Sequence, residues 1–145
     1  PFFFLNPIPG PVIITSLFFS SIVTTEFVFK TLRIFNLRAP SYRIKKLLTE
    51  YNAKEEKTFE DILDFHVKFE RIHPFQDGNG RVGRLIMFKE CLKYNIVPFI
   101  IEDNLKMFYY RGLKEWNNEK GYLMDTCLTA QDRYKAYLDY FRIEY

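Results

Sequence analysis

A chain of 145 residues with 48% hydrophobic and 19% aromatic content can bury a sizeable single core, which excludes a disordered chain. The formal net charge of +3 is too small to argue for a nucleic-acid partner. Two cysteines, Cys91 and Cys127, are too few for a disulfide framework or a thiolate metal site, so a reducing, cytoplasmic setting is expected. The chain opens on Pro1 rather than Met, so a longer parent protein is expected as well.

Residues 1–40 differ in composition from the rest. They hold eight of the sixteen Phe and only four charges, Glu26, Lys30, Arg33 and Arg38. A membrane span would need about 20 predominantly apolar residues, and here Pro7, Pro9 and Pro11 interrupt the run. A secretory signal would need a basic start and a small-residue cleavage site, and neither is clear. Three readings stay open: Phe-rich strands packed on the body, sequence that is not native at this place, or a membrane role.

From Ser41 onward the periodicity predicts helices. Ile44, Leu47, Leu48 and Tyr51 share one face. Thr58 with Asp61 predicts a capped helix start, and Phe59, Ile62, Leu63, His66, Phe69 and Ile72 line the face that follows. His66 reads as a structural histidine on that stripe, and Lys68, Glu70 and Arg71 as a solvated face. Pro74 ends the helix after His73. A second helix, from near Gly80 to about Tyr94, is apolar on most sides and predicted to be central. A third, roughly 104–117, shows Leu105, Phe108, Tyr109, Leu113 and Trp116. The last, about 123–141, shows Leu128, Tyr134, Tyr137, Leu138 and Phe141. The fold class is mainly α: residues 1–40 are an atypical segment, and residues 41–145 form a helical bundle with a loop between two central helices.

That loop, His73-Pro74-Phe75-Gln76-Asp77-Gly78-Asn79-Gly80-Arg81-Val82-Gly83-Arg84, concentrates the chemistry. Gly78 and Gly80 let backbone N–H groups approach a ligand, and a helix starts at once behind them, which makes an anion site. Arg81 and Arg84, three residues apart on that helix, suit a di- or triphosphate. Asp77 at the loop edge can hold Mg²⁺ beside phosphates. His73 can take a proton from an attacking hydroxyl. Each feature alone is commonplace, since a single His, a GNG turn or an Arg pair occurs in many folds. Their occurrence in structural order within twelve residues points to phosphoryl or nucleotidyl transfer. No Lys-[Ser/Thr] follows the glycines as in a P-loop, no strand precedes them as in a Rossmann fingerprint, and no kinase H-R-D or D-F-G is present.

The same residues resemble the Fic (filamentation induced by cAMP) domain motif H-x-F-x-[DE]-G-N-G-R-x-x-R, and every fixed position is met. The resemblance implies a protein adenylyltransferase, a nucleotidyltransferase moving AMP from ATP to a Ser, Thr or Tyr hydroxyl of a target protein with release of pyrophosphate. His73 would be the base and Phe75 the loop's anchor. Asp77 would hold Mg²⁺. Gly78, Asn79 and Gly80 would cradle phosphate, with the Asn79 side chain on the α-phosphate. Arg81 would take the β- and Arg84 the γ-phosphate. Tyr109, Tyr110 and Asn117 are candidates for the adenine wall, with ordinary helix packing as the competing reading. Some members carry Lys where this chain has Gly80 and transfer phosphate; Gly80 favours AMP. Transfer of another nucleotide or phosphate moiety, or a non-catalytic nucleotide-binding module, are the alternatives.

Family members are often toxin-like proteins restrained by an [ST]-x-x-x-E-[GN] helix. No Glu here has Ser or Thr four residues earlier. The inhibitory element is therefore expected in another part of the protein, in an antitoxin chain acting in trans, or not at all. A target-aligning β-hairpin flap would fall over Phe27 to Leu37, and a homodimer is a further option. No nucleic-acid or membrane partner is expected.

Overall fold

A computed structural model describes residues 41–145; the Phe-rich segment, its expected strands and the flap region all lie outside the described residues. The mainly helical architecture implied by the resemblance is observed. The helices are α1 (Ser41–Asn52), α2 (Phe59–Ile72), α3 (Asn79–Lys93), α4 (Lys106–Glu115) and α5 (Gly121–Tyr140), with a 3₁₀ turn at Asp103–Leu105 and no strand among the described residues. No helix among the described residues is long and apolar enough to cross a membrane.

Helix α2 starts on the predicted capping box. The Thr58 hydroxyl accepts from the Asp61 N–H at 3.2 Å, and the Thr58 N–H donates to Asp61 Oδ2 at 2.8 Å. Against the penalty of partial burial, Lys54 and Thr58 hold the Asp61 carboxyl down to about 2. The helix then buries residues on most of its circumference: Ile62, Leu63, Phe65, His66, Val67 and Phe69. One face, with Phe65 and Phe69, joins Ile44, Leu47 and Leu48 of α1 and Phe75 of the loop. The other, with Ile62, Leu63 and Val67, joins Met87 and Cys91 of α3, Tyr109 and Trp116 of the α4 end, and Leu123, Cys127 and Ala130 of α5. Each such apolar side chain removed from water contributes about 1.5–3 kcal/mol. The sequence pattern makes α3 the central helix, but among the described residues α2 is the more enclosed, and Leu85 of α3 points outward.

Two further expectations are corrected. Phe108 lies on the outer side of α4, while Leu105, Tyr109 and Trp116 face the core. On α5 the buried stripe is Leu123, Thr126, Cys127, Ala130 and Gln131, and Leu128, Tyr137 and Phe141 are exposed. The reason is the closeness of α4 and α5. A Cβ on Gly112 would lie 2.6 Å from Leu123 Cα, so the crossing leaves no room for a side chain at position 112. Side chains also tie the outer helices to their neighbours. Trp116 Nε1 donates to Asp64 Oδ1 of α2 at 2.9 Å, and Gln131 Nε2 donates to the Val97 carbonyl at 2.6 Å.

Gly112→Ala sets a helix-propensity gain of about 1 kcal/mol against a backbone clash that overpacking places at 1–3 kcal/mol or more. The clash prevails because the partner is backbone and cannot rotate away. The expected net loss is about 2 kcal/mol, a fall in Tm of roughly 5–8 °C by calorimetry for a chain of this size.

Candidate active site

Helix α2 ends where Pro74 forbids its continuation. His73 caps it in the left-handed region (φ 51°, ψ 58°), its N–H still donating to the Phe69 carbonyl at 3.2 Å. Left-handed backbone costs a non-glycine residue about 1 kcal/mol or more, and this turn redirects the chain. Phe75 is thereby driven into the core against Phe69, ring centroids 6.2 Å apart, while the His73 side chain stays exposed.

The loop closes on itself through Asn79. The Phe75 N–H donates to Asn79 Oδ1 and Asn79 Nδ2 donates to the Phe75 carbonyl, both at 2.8 Å, with Asn79 only 3% exposed. The resemblance implied an α-phosphate contact for the Asn79 side chain. Here its amide is engaged by the Phe75 backbone. Gly78 takes φ 80°, a left-handed position that glycine adopts without strain, and precedes the first turn of α3. That turn carries no acidic residue to occupy its N–H groups, so it remains receptive to an anion.

Charged side chains stand around this helix start. Arg81 Nη2 pairs with Asp77 Oδ2 at 3.1 Å in an exposed i,i+4 contact, worth at most about 1 kcal/mol and easily given up. Asp77 is 91% exposed, an open carboxylate beside an anion site. That fits Mg²⁺, which binds through one or two carboxylates together with phosphate oxygens. Arg84 reaches back over Gly80, where a Cβ would sit 3.0 Å from its Nη1. Gly80 thus leaves the guanidinium room to lie along the first turn.

Behind the loop lies a polar cluster that the sequence pattern only partly predicts. His66, 1% exposed, shares a 2.5 Å hydrogen bond between its Nε2 and the Tyr109 hydroxyl. Its Nδ1 faces the Gly83 backbone without a well-formed hydrogen bond. Burial, with the Arg84 cation adding to it, lowers the His66 pKa to about 4. Glu70, expected on a solvated face, is half-buried, and its Oε1 has no hydrogen-bond partner among the described residues. Desolvation raises its pKa, with Arg84 and then His73 opposing. Gly83 makes the space: a Cβ there would lie 2.4 Å from Glu70 Oε1 and 3.0 Å from His66 Cε1. The available signal was the spacing of His66, Glu70 and His73 at i, i+4 and i+7, one polar stripe within an apolar face.

The adenine-wall candidates separate. Tyr109 is buried, its phenol pushed up by burial and by Glu70 while Arg84 opposes. Tyr110 is exposed, its ring 5.5 Å from that of Tyr109. Asn117 is exposed and accepts from Arg71 Nη1 at 2.8 Å; Arg71 also reaches the Leu113 carbonyl at 3.3 Å. Arg71 therefore ties α2 to the end of α4 rather than standing free in solvent.

The His66 shift has a measurable consequence. A histidine whose folded pKa lies below its unfolded 6.5 binds more protons when unfolded, so its share of stability is present above 6.5 and lost as pH falls toward 4. Between pH 7.5 and 5 that loss is about 2 kcal/mol. Urea denaturation at the two pH values should show a smaller pH dependence in His66→Gln than in the wild type.

Comparison with known proteins adds the lineage. Residues 29–91 match the sequence model of the Fic/DOC family. A probable protein adenylyltransferase of Aquifex aeolicus is 51% identical over 53 residues, covering 33% of this chain and 17% of that protein. The protein adenylyltransferase Fic of Drosophila melanogaster and that of Drosophila virilis are each 43% identical over 49 residues, covering 34% of this chain and 10% of the relative. The chain thus aligns with under a fifth of the length of these curated relatives. The matched stretch contains the whole loop from His73 to Arg84, and it makes residues 29–91 a segment of the Fic/DOC family.

Proposed function

We propose that this chain is the nucleotide-handling part of a Mg²⁺-dependent protein adenylyltransferase. The observation that carries this reading is the loop itself. An exposed histidine held by a left-handed cap stands beside a glycine-opened helix start with two arginines on its first turns. The named relatives, which are adenylyltransferases, support the choice of AMP.

On this reading His73 accepts the proton of a target Ser, Thr or Tyr hydroxyl. The hydroxyl oxygen bonds to the α-phosphorus of ATP, the bond from that phosphorus to the bridging oxygen breaks, and pyrophosphate leaves with the electron pair. The first-turn N–H groups and Arg81 neutralise charge at the inner phosphates, and Arg84 engages the terminal one. Mg²⁺, held by Asp77, would supply further charge neutralisation at the phosphates. Asn79 keeps the loop in shape through Phe75. Tyr110, exposed on α4, is the better adenine-wall candidate, since Tyr109 is turned into the core. The free, buried cysteines suit a cytoplasmic setting. Control by an antitoxin or by an inhibitory helix elsewhere in the protein, and a homodimeric state, belong to the same proposal.

Transfer of label from α-³²P-ATP and, in parallel, from γ-³²P-ATP to lysate proteins tests the reading. Label from the α position alone, reduced at least a hundredfold in His73→Ala while that variant still binds ATP, is the expected result. Label from the γ position alone would replace AMP transfer with phosphate transfer. Arg84→Ala should weaken ATP binding about tenfold or more by calorimetry, and unchanged affinity would remove Arg84 from the terminal phosphate.

A further inference from the structure

Glu70 is the group that the reading above leaves unused. Its carboxylate is half-buried, one oxygen lacks a hydrogen-bond partner among the described residues, and it sits directly behind an anion site. A negative charge there repels phosphate, and burying it is costly. If packing were its only task, an apolar side chain would fill the space at less cost. The fold nevertheless provides a niche for it, because Gly83 carries no Cβ that would collide with Oε1.

The surroundings identify what the charge acts on. On α2, His66 lies one turn before Glu70 and His73 about one turn after it. From α3 comes Arg84: it lies against Gly80, while Glu70 Oε1 packs against Gly83, three residues on and a neighbouring position on the helix surface, so the two charges face the same stretch of α3; from α4 comes Tyr109. Arg84 in turn lies along Gly80, and its charge favours the ionised form of the Tyr109 phenol. His66 holds that hydroxyl in place from behind through its 2.5 Å hydrogen bond.

We propose that Glu70 is a positioning residue for Arg84: its niche-bound carboxylate is the counter-charge that, with the Tyr109 hydroxyl, fixes the guanidinium over Gly80 and toward the terminal phosphate of a bound nucleotide. The inference rests on the triphosphate reading of the site. It makes Tyr109 part of the phosphate-binding apparatus through Arg84, not through the base. Glu70 Oε1 forms no hydrogen bond among the described residues, so its charge matters more than any one contact.

A double-mutant cycle on ligand affinity tests this, with Glu70→Gln, Arg84→Ala and the pair in the full chain. The probes are MgATP and inorganic tripolyphosphate, which carries the charge without a base; thermal denaturation of each variant runs alongside. Glu70→Gln is expected to weaken both probes about tenfold with Arg84 present and less than twofold in Arg84→Ala. Tyr109→Phe, which removes the other side of the clamp together with the hydrogen bond to His66, is expected to weaken tripolyphosphate severalfold. Unchanged or tighter binding in Glu70→Gln overturns the proposal. So does an equal loss in both backgrounds accompanied by a fallen Tm, the signature of a purely structural role. Unchanged tripolyphosphate affinity in Tyr109→Phe overturns the clamp even if Glu70→Gln fails to fold. A wild type that binds neither probe overturns the triphosphate reading itself, whereas binding without coupling overturns the Glu70 assignment alone.

Discussion

The reciprocal pair of hydrogen bonds between the Asn79 amide and the Phe75 backbone is the constraint on which the site depends. Without it, the oxygen and nitrogen of the buried Asn79 amide would lose these partners, each at a cost of about 1–3 kcal/mol. With it, Phe75 is locked against Phe69 and Asn79 is fixed as the first residue of α3. The left-handed turns at His73 and Gly78 are then the way the chain spans the corner, one at each end of the clasp. The positions of the histidine and of the helix start follow from this closure more than from any contact they make themselves.

The second organising element is a polar seam inside an otherwise apolar interface. Between α2 and α3, where Met87 and Cys91 make an ordinary core further along, His66 and Glu70 meet glycine backbone. This is costly, and the cost is offset by the Tyr109 hydroxyl on one side and the Arg84 cation on the other. The seam joins the anion-binding face to the core behind it through His66, Tyr109 and the Glu70 niche at Gly83. The α4–α5 pair contributes from a distance, because the close approach at Gly112 sets where Tyr109 emerges.

Much of this was legible in the residues. Thr58 and Asp61 announce the start of α2, Pro74 announces its end, and the glycines announce the loop between. The stripe of α1 follows from period alone because its aliphatic residues, Ile44, Leu47 and Leu48, are its buried ones. On α5 the same rule fails. There the largest side chains, Tyr137 and Phe141, are outside, and the interface is made by Cys127 and Ala130, chosen for smallness. Residue size misleads wherever two helices approach closely, since proximity selects against bulk. Glu70 was illegible for a different reason. A glutamate between Lys68 and Arg71 reads as surface until Gly83, thirteen positions away, is seen to have made room for it. The bond from Asn79 to the Phe75 backbone was not legible, since an amide serves a phosphate and a peptide group equally well.

Trp116 is the one tryptophan of the chain, and it is buried at 2% exposure at the far end of α4. Its indole N–H is held by Asp64, and the Lys120 ammonium stands 5.5 Å from the ring centroid. The chain therefore carries a built-in optical reporter at the seam between α2 and α4. Its emission senses the electric field of a carboxylate and an ammonium at once, and it would redden on exposure to water. Parting of these two helices would become visible as a spectral change, with no label introduced and the loop between α2 and α3 left untouched.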